Sequence, residues 1–297
     1  MKIKLGIAPI AWSNDDMPEL GGDTPIEQCL EEAAIAGFTG IELGGKFPRN
    51  PGIINFLLNK YNLKMPGGWY GSLLRTRSAN EEWVAMQDHL NLLKILKADV
   101  FVFADVSGSI QSYHSRKLSS RPNMEKEEFD KYCIKINEIS NRLYDEGIPM
   151  SYHEHMGTLI QTENDVDRFM DGTNENTFLL YDTGHLLFAQ ANYERVLKNY
   201  VSKINHVHCK DIRKNILENS LKKDLSFRQS FLDGVFTVPG DGCIDYDPLL
   251  KILYENNYDK WLIIEAEQDP KKANPFEYAK IGYKYLLKSL TNSKYEH

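Results

Sequence analysis

Short apolar runs alternate with longer amphipathic segments from one end of this 297-residue chain to the other. No other feature constrains the fold as much, because strands separated by helical crossovers pair in parallel. Strand-like runs fall near 4–8, 40–43, 64–67, 100–104, 149–153, 178–182, 204–208 and 261–265. An α/β fold of the (βα)8 TIM-barrel type takes about 250 residues plus insertions, so one such domain over 1–297 accounts for the length.

Helix starts are written in the chain as well. Phe129, Tyr132, Cys133, Ile136, Ile139 and Leu143 recur at spacings of three and four, which predicts a helix from near Glu125 that Gly147 and Pro149 stop. Thr24-Pro25-Ile26-Glu27 and Asn274-Pro275-Phe276-Glu277 each combine a cap side chain, a first-turn proline and a glutamate at the capping-box position, and Asp247-Pro248 resembles the first half. The stretches 107–123 and 210–242 fit neither period and are expected as long loops on the active-site face of the barrel. The tail after Leu290 is expected to fray.

In a parallel barrel all strand ends converge on one mouth, so residue types that recur at strand ends share a site. The fifth run ends in His153-Glu154-His155, the sixth in Asp182, the seventh in His206 and His208, and the eighth in Glu265. Alternation sorts them: with Ile148, Met150 and Tyr152 facing the helices, His153 and His155 face the axis and Glu154 faces out. The predicted metal set is therefore His153, Asp182, His208 and Glu265, with Glu154 in place of His153 as the rival. Two imidazoles and two carboxylates without a thiolate suit Mn²⁺ or Co²⁺ ahead of Zn²⁺ or Mg²⁺. Glu42, Lys46, His155, His185 and Lys210 are the candidates for moving protons or fixing hydroxyls, and His206 is expected one layer deeper, orienting His208. Trp12 and Trp69 either floor a sugar ring or pack the upper barrel.

A net charge of −7 without a basic run argues against nucleic acid as a partner. Cys29, Cys133, Cys209 and Cys243 are scattered without a CxxC pair, which reads as reduced thiols in the cytoplasm. No signal-like core and no run near 20 apolar residues appears, so no membrane partner is expected, while self-association stays open.

GIAPIAW, GGDTPIEQCLEEAAIAGFTGIELGGKFP, YHEHMGT, YDTGH, HVHCKD and PGDGCIDY, in that order, resemble the inosose dehydratases of the xylose-isomerase-like group over nearly the whole chain. YDTGH and HVHCKD belong to the wider group; the N-terminal block and YHEHMGT carry the narrower likeness. The resemblance implies dehydration of a keto-cyclitol, 2-keto-myo-inositol (scyllo-inosose), to a trihydroxycyclohexane-1,2-dione in inositol catabolism. It also implies Mn²⁺ or Co²⁺ and an association with glutathione. This chain departs from the family at Glu154, where His or Pro is expected. For the chemistry, Glu42 or a histidine would take a proton and His155, His185 or Lys46 would help hydroxide leave. A keto-sugar isomerase or epimerase is the closest alternative; a DNA-repair endonuclease and a non-catalytic sugar-binding barrel are the others.

Overall fold

Eight parallel strands follow one another around the barrel in chain order: β1 (Lys4–Ile7), β2 (Gly40–Ile41), β3 (Trp69–Ser72), β4 (Phe101–Asp105), β5 (Met150–His153), β6 (Phe178–Asp182), β7 (Ile204–Cys209) and β8 (Trp261–Ile264). β8 returns to β1 with Lys4 opposite Trp261 and Ile7 opposite Ile264. The computed structural model describes residues 2–15 and 17–296.

The third strand lies further along than its sequence suggests. Its regular part is Trp69–Ser72, whereas residues 64–68 touch β2 through bridges at Lys64 and Gly68 and through the carbonyls of Lys64 and Gly67, which accept from Ile41 and Leu43 at 3.0 Å. Pro66 has no N–H to extend a ladder, which is why the regular strand starts beyond it.

Side-chain parity along the strands divides apolar packing from chemistry. Met150 and Tyr152 of β5, Leu179 and Tyr181 of β6, and Leu262 and Ile264 of β8 face out into the main core under the helices. Inside, Trp261 and Ile263 plug the lower barrel, and Gly40 makes room for the indole, since a Cβ there would stand 2.6 Å from Trp261. In β7 the pairing shifts between Leu179–Ile204 and Leu180–His206, so Asn205 bulges. That bulge resets the alternation: Ile204 faces the outer core while His206 and His208 both face the axis.

The segment 210–242, expected as a loop, folds. It carries helices Lys214–Lys223 and Phe227–Leu232 and a two-stranded ribbon, Asp211–Ile212 against Phe236–Thr237. Leu217, Phe227, Phe231, Val235 and Phe236 join Met17, Leu118, Met156 and Phe188 in a second core above the barrel mouth. Segment 107–123 is tied to it by the N–H of Leu118, which donates to Leu225 at 3.0 Å. The two loops thus form one cap.

The long helix is Lys126–Asp145, and Asn274 caps Pro275–Asn292 by accepting from the Glu277 N–H, both as expected. Thr24 makes no such cap: the first helix begins at Ile26 with Pro25 in the cap position. Asp245, not Asp247, caps Tyr246–Glu255. The tail does not fray over its described part, because Tyr295 is buried and its hydroxyl donates to the Tyr258 carbonyl at 2.7 Å. Among the described residues no helix is long and apolar enough to cross a membrane.

Candidate active site

The four side chains read from the strand ends come together. His153, Asp182, His208 and Glu265 each place one ligand atom within 4.8 Å of all the others, and all four are buried. They climb with the barrel stagger: His153 is level with Leu180, Asp182 with His208, and His208 with Ile263, so Glu265 stands two residues further on. His153 Nε2 lies 3.8 Å and His208 Nδ1 3.6 Å from Asp182 Oδ2, and His208 Nδ1 is 2.5 Å from Glu265 Oε2.

The residues fit a bound cation. Asp182 divides its oxygens: Oδ1 accepts from the His185 N–H at 2.9 Å and caps the short helix Thr183–Phe188, while Oδ2 is buried with no hydrogen-bond partner. His208 Nδ1 points at Glu265 Oε2, and its Nε2 faces Glu42 at 3.2 Å. A histidine whose far nitrogen donates to a carboxylate presents the near one as a ligand. The local field favours positive charge: burial pushes the His208 imidazole down, but Glu265 and Glu42 override it and hold it well above its ordinary range. The rival, Glu154, is buried; its Oε1 accepts from the Asp182 N–H at 3.1 Å, and its Oε2 lies 3.3 Å from His153 Nδ1.

Glu42 is engaged behind this cluster. It accepts from His206 at 2.8 Å, and although burial pushes its carboxyl up, His208 and His206 bring it down to about 2. Glu42 thus lies between His206 and His208. Lys210, fully buried, bridges Glu265 (2.8 Å), Glu267 (2.7 Å) and His185 (2.8 Å). Gly184 of YDTGH lets it pass, since a Cβ there would sit 2.5 Å from Lys210 Cγ. Lys46 stays apart from these groups and donates to the Gly22 carbonyl.

A cavity of about 100 Å³ opens onto the cluster, with Glu42, Trp69, Gln111, His155, His208, Glu265 and Glu267 in its wall. Trp69, 37% exposed, stands edge-on to His153 and His155, whereas Trp12 packs in the main core with its Nε1 donating to Glu32. From the cap, Phe227 and Phe236 pack on His185, and Phe227 also reaches His155. Glu267 and Gln111 escaped the sequence reading. Glu267 left a signal, since it follows Glu265 by two residues and shares its face.

The xylose isomerase-like TIM barrel family matches residues 30–289. The chain is 41% identical to an inosose dehydratase of Clostridium beijerinckii over 96% of both proteins. It is 42% identical to the rhizopine catabolism protein MocC of Rhizobium meliloti over 97% of this chain and 89% of that one. The chain belongs to the inosose dehydratase family. Outside the inosose dehydratases, the solved IolI protein with a bound zinc atom superposes with a TM-score of 0.68 over 98% of each chain; at 17% identity this is a likeness of fold.

Proposed function

We propose that the protein is a hydro-lyase of inositol catabolism that removes water from 2-keto-myo-inositol (scyllo-inosose) to give a trihydroxycyclohexane-1,2-dione, using one divalent ion. The near-full-length identity to an inosose dehydratase carries this reading, and the convergent His153, Asp182, His208 and Glu265 support it. These four residues would hold the ion, and two imidazoles with two carboxylates favour Mn²⁺ or Co²⁺. Such an ion, when bound, polarises a ketone and acidifies the neighbouring C–H. The buried free thiols Cys29, Cys133 and Cys209 fit a reducing cytoplasm.

The proton belongs to His155. Its Nδ1 donates to the Met156 carbonyl at 2.8 Å, which fixes the tautomer and leaves Nε2 as the lone-pair nitrogen of a residue in the cavity wall. Burial, with the Lys210 charge second, pushes this imidazole down to about 3, so it is unprotonated. His155 takes the α-proton and passes it to the departing β-hydroxyl. Hydrogen and hydroxide leave as one water, and the C–H electron pair becomes the new double bond. Glu42, occupied by His206 and His208, orients rather than abstracts. Glutathione, which the family resemblance brings in, has no part in this proton path.

Metal-stripped protein is expected to be inactive and to recover with Mn²⁺ or Co²⁺, read as the ultraviolet absorbance of the enolic dione. Equal turnover after chelation, or an isomerised sugar as the sole product, would overturn the reading. His155→Gln should keep its metal yet lose exchange of the substrate α-hydrogen with solvent. Exchange at the wild-type rate would remove His155 from the path.

A further inference from the structure

We infer that Gln111 reads one ring hydroxyl of the cyclitol and so sets substrate specificity, an inference that rests on the dehydratase reading above. Gln111 lines the cavity, is only 5% exposed, and its Oε1 is buried without a hydrogen-bond partner. Buried amide oxygens are almost always paired, so an orphan in a cavity wall marks where a ligand donor belongs. The neighbouring carboxylates Glu42, Glu265 and Glu267 are already engaged by His206, His208 and Lys210. The primary amide offers both an acceptor and donors, and a hydroxyl, which is both, answers it.

Gln111 is held in place from behind. The Ile110 N–H donates to the Gly157 carbonyl at 3.0 Å, and the Ile110 side chain is buried. Gly157 has φ +83°, and a Cβ there would come within 2.9 Å of Ile110 Cγ1. The segment after β4 therefore docks on the turn that carries His155, which brings Gln111 and His155 into one wall. A ring whose α-carbon meets His155 presents its remaining hydroxyls around the same cavity.

Gln111→Met keeps the length and removes the polar end. Its KM for inosose should rise about tenfold or more, with kcat, metal content and melting temperature close to wild type, because the lost contact is made in the ground state too. The loss should localise: among monodeoxy inososes, one analogue should be turned over equally by wild type and variant, because it lacks the hydroxyl that Gln111 meets. An unchanged KM, or an equal loss against every analogue, would overturn the inference while leaving the dehydratase reading intact. Absence of wild-type turnover of inosose in the same assay overturns both.

Discussion

Asp182→Asn is expected to leave the fold intact while the purified protein loses its metal and turnover falls about 10³-fold or more. The two oxygens of Asp182 separate these effects. An asparagine carbonyl can still accept from the His185 N–H and cap Thr183–Phe188, so the helix that carries His185 keeps its start. The Oδ2 position, which faces His153 Nε2 and His208 Nδ1, becomes an NH₂ group. An NH₂ group has no lone pair to offer a cation and brings donors towards two imidazoles. Metal analysis, a steady-state assay and a thermal melt on the same preparation check all three outcomes. Glu154→Gln is the matched control: its side-chain carbonyl can still accept from the Asp182 N–H, so metal and turnover should stay near wild type. A fully loaded, active Asp182→Asn would sink the ligand set, and metal loss in Glu154→Gln alone would move the fifth-strand ligand from His153 to Glu154.

The barrel and the four converging side chains were legible because both depend on a period of two and on parallel strands opening at one end. Even the bulge at Asn205 left the reading of His208 unharmed, because it restores the axis-facing phase before His206. What lies between the strands was harder to read. The cap helices are short, and their apolar residues pack on one another and on Met17, Leu118 and Met156, which are distant in sequence. Lys46 follows the Gly44-Gly45 turn, where strand parity no longer steers a side chain, and the Gly22 carbonyl claims it. Trp12 is drawn into the helix layer by Glu32. Gln111 gives no pattern at all in sequence, since its place depends on how Ile110 meets Gly157.

Lys210→Met is expected to destabilise the metal-free protein by about 3–5 kcal/mol, the usual loss when one partner of a buried ion pair is removed. On a chain this large that is a fall of roughly 5–8 °C in melting temperature. The ammonium sits among Glu265 at 2.8 Å, Glu267 at 2.7 Å and Asp182 at 3.9 Å. Burial alone would push Lys210 down, yet Glu265, Glu267 and Asp182 override it and hold it above its ordinary range. With methionine there, Glu267 and Asp182 lose the ammonium and Glu265 keeps only the His208 imidazole as a cationic neighbour, all in a buried site. Turnover should drop as well, because Lys210 ties Glu265 in the ligand cluster to Glu267 in the cavity wall and to His185. Metal affinity should weaken about 10- to 100-fold, the range for losing a group that orients a ligand. Saturating Mn²⁺ should restore part of the melting temperature, since a bound cation supplies some of the missing charge, but not the rate, since the ammonium that joins Glu265 to Glu267 is gone. Lys210→Arg should rescue poorly: the close pass at Gly184 and the Phe236 ring 4.8 Å from Nζ leave no room for a planar guanidinium. A methionine variant that melts and turns over like wild type would show that the carboxylates need no partner at this position, and the account of Lys210 as the fixed positive charge of the site would fall.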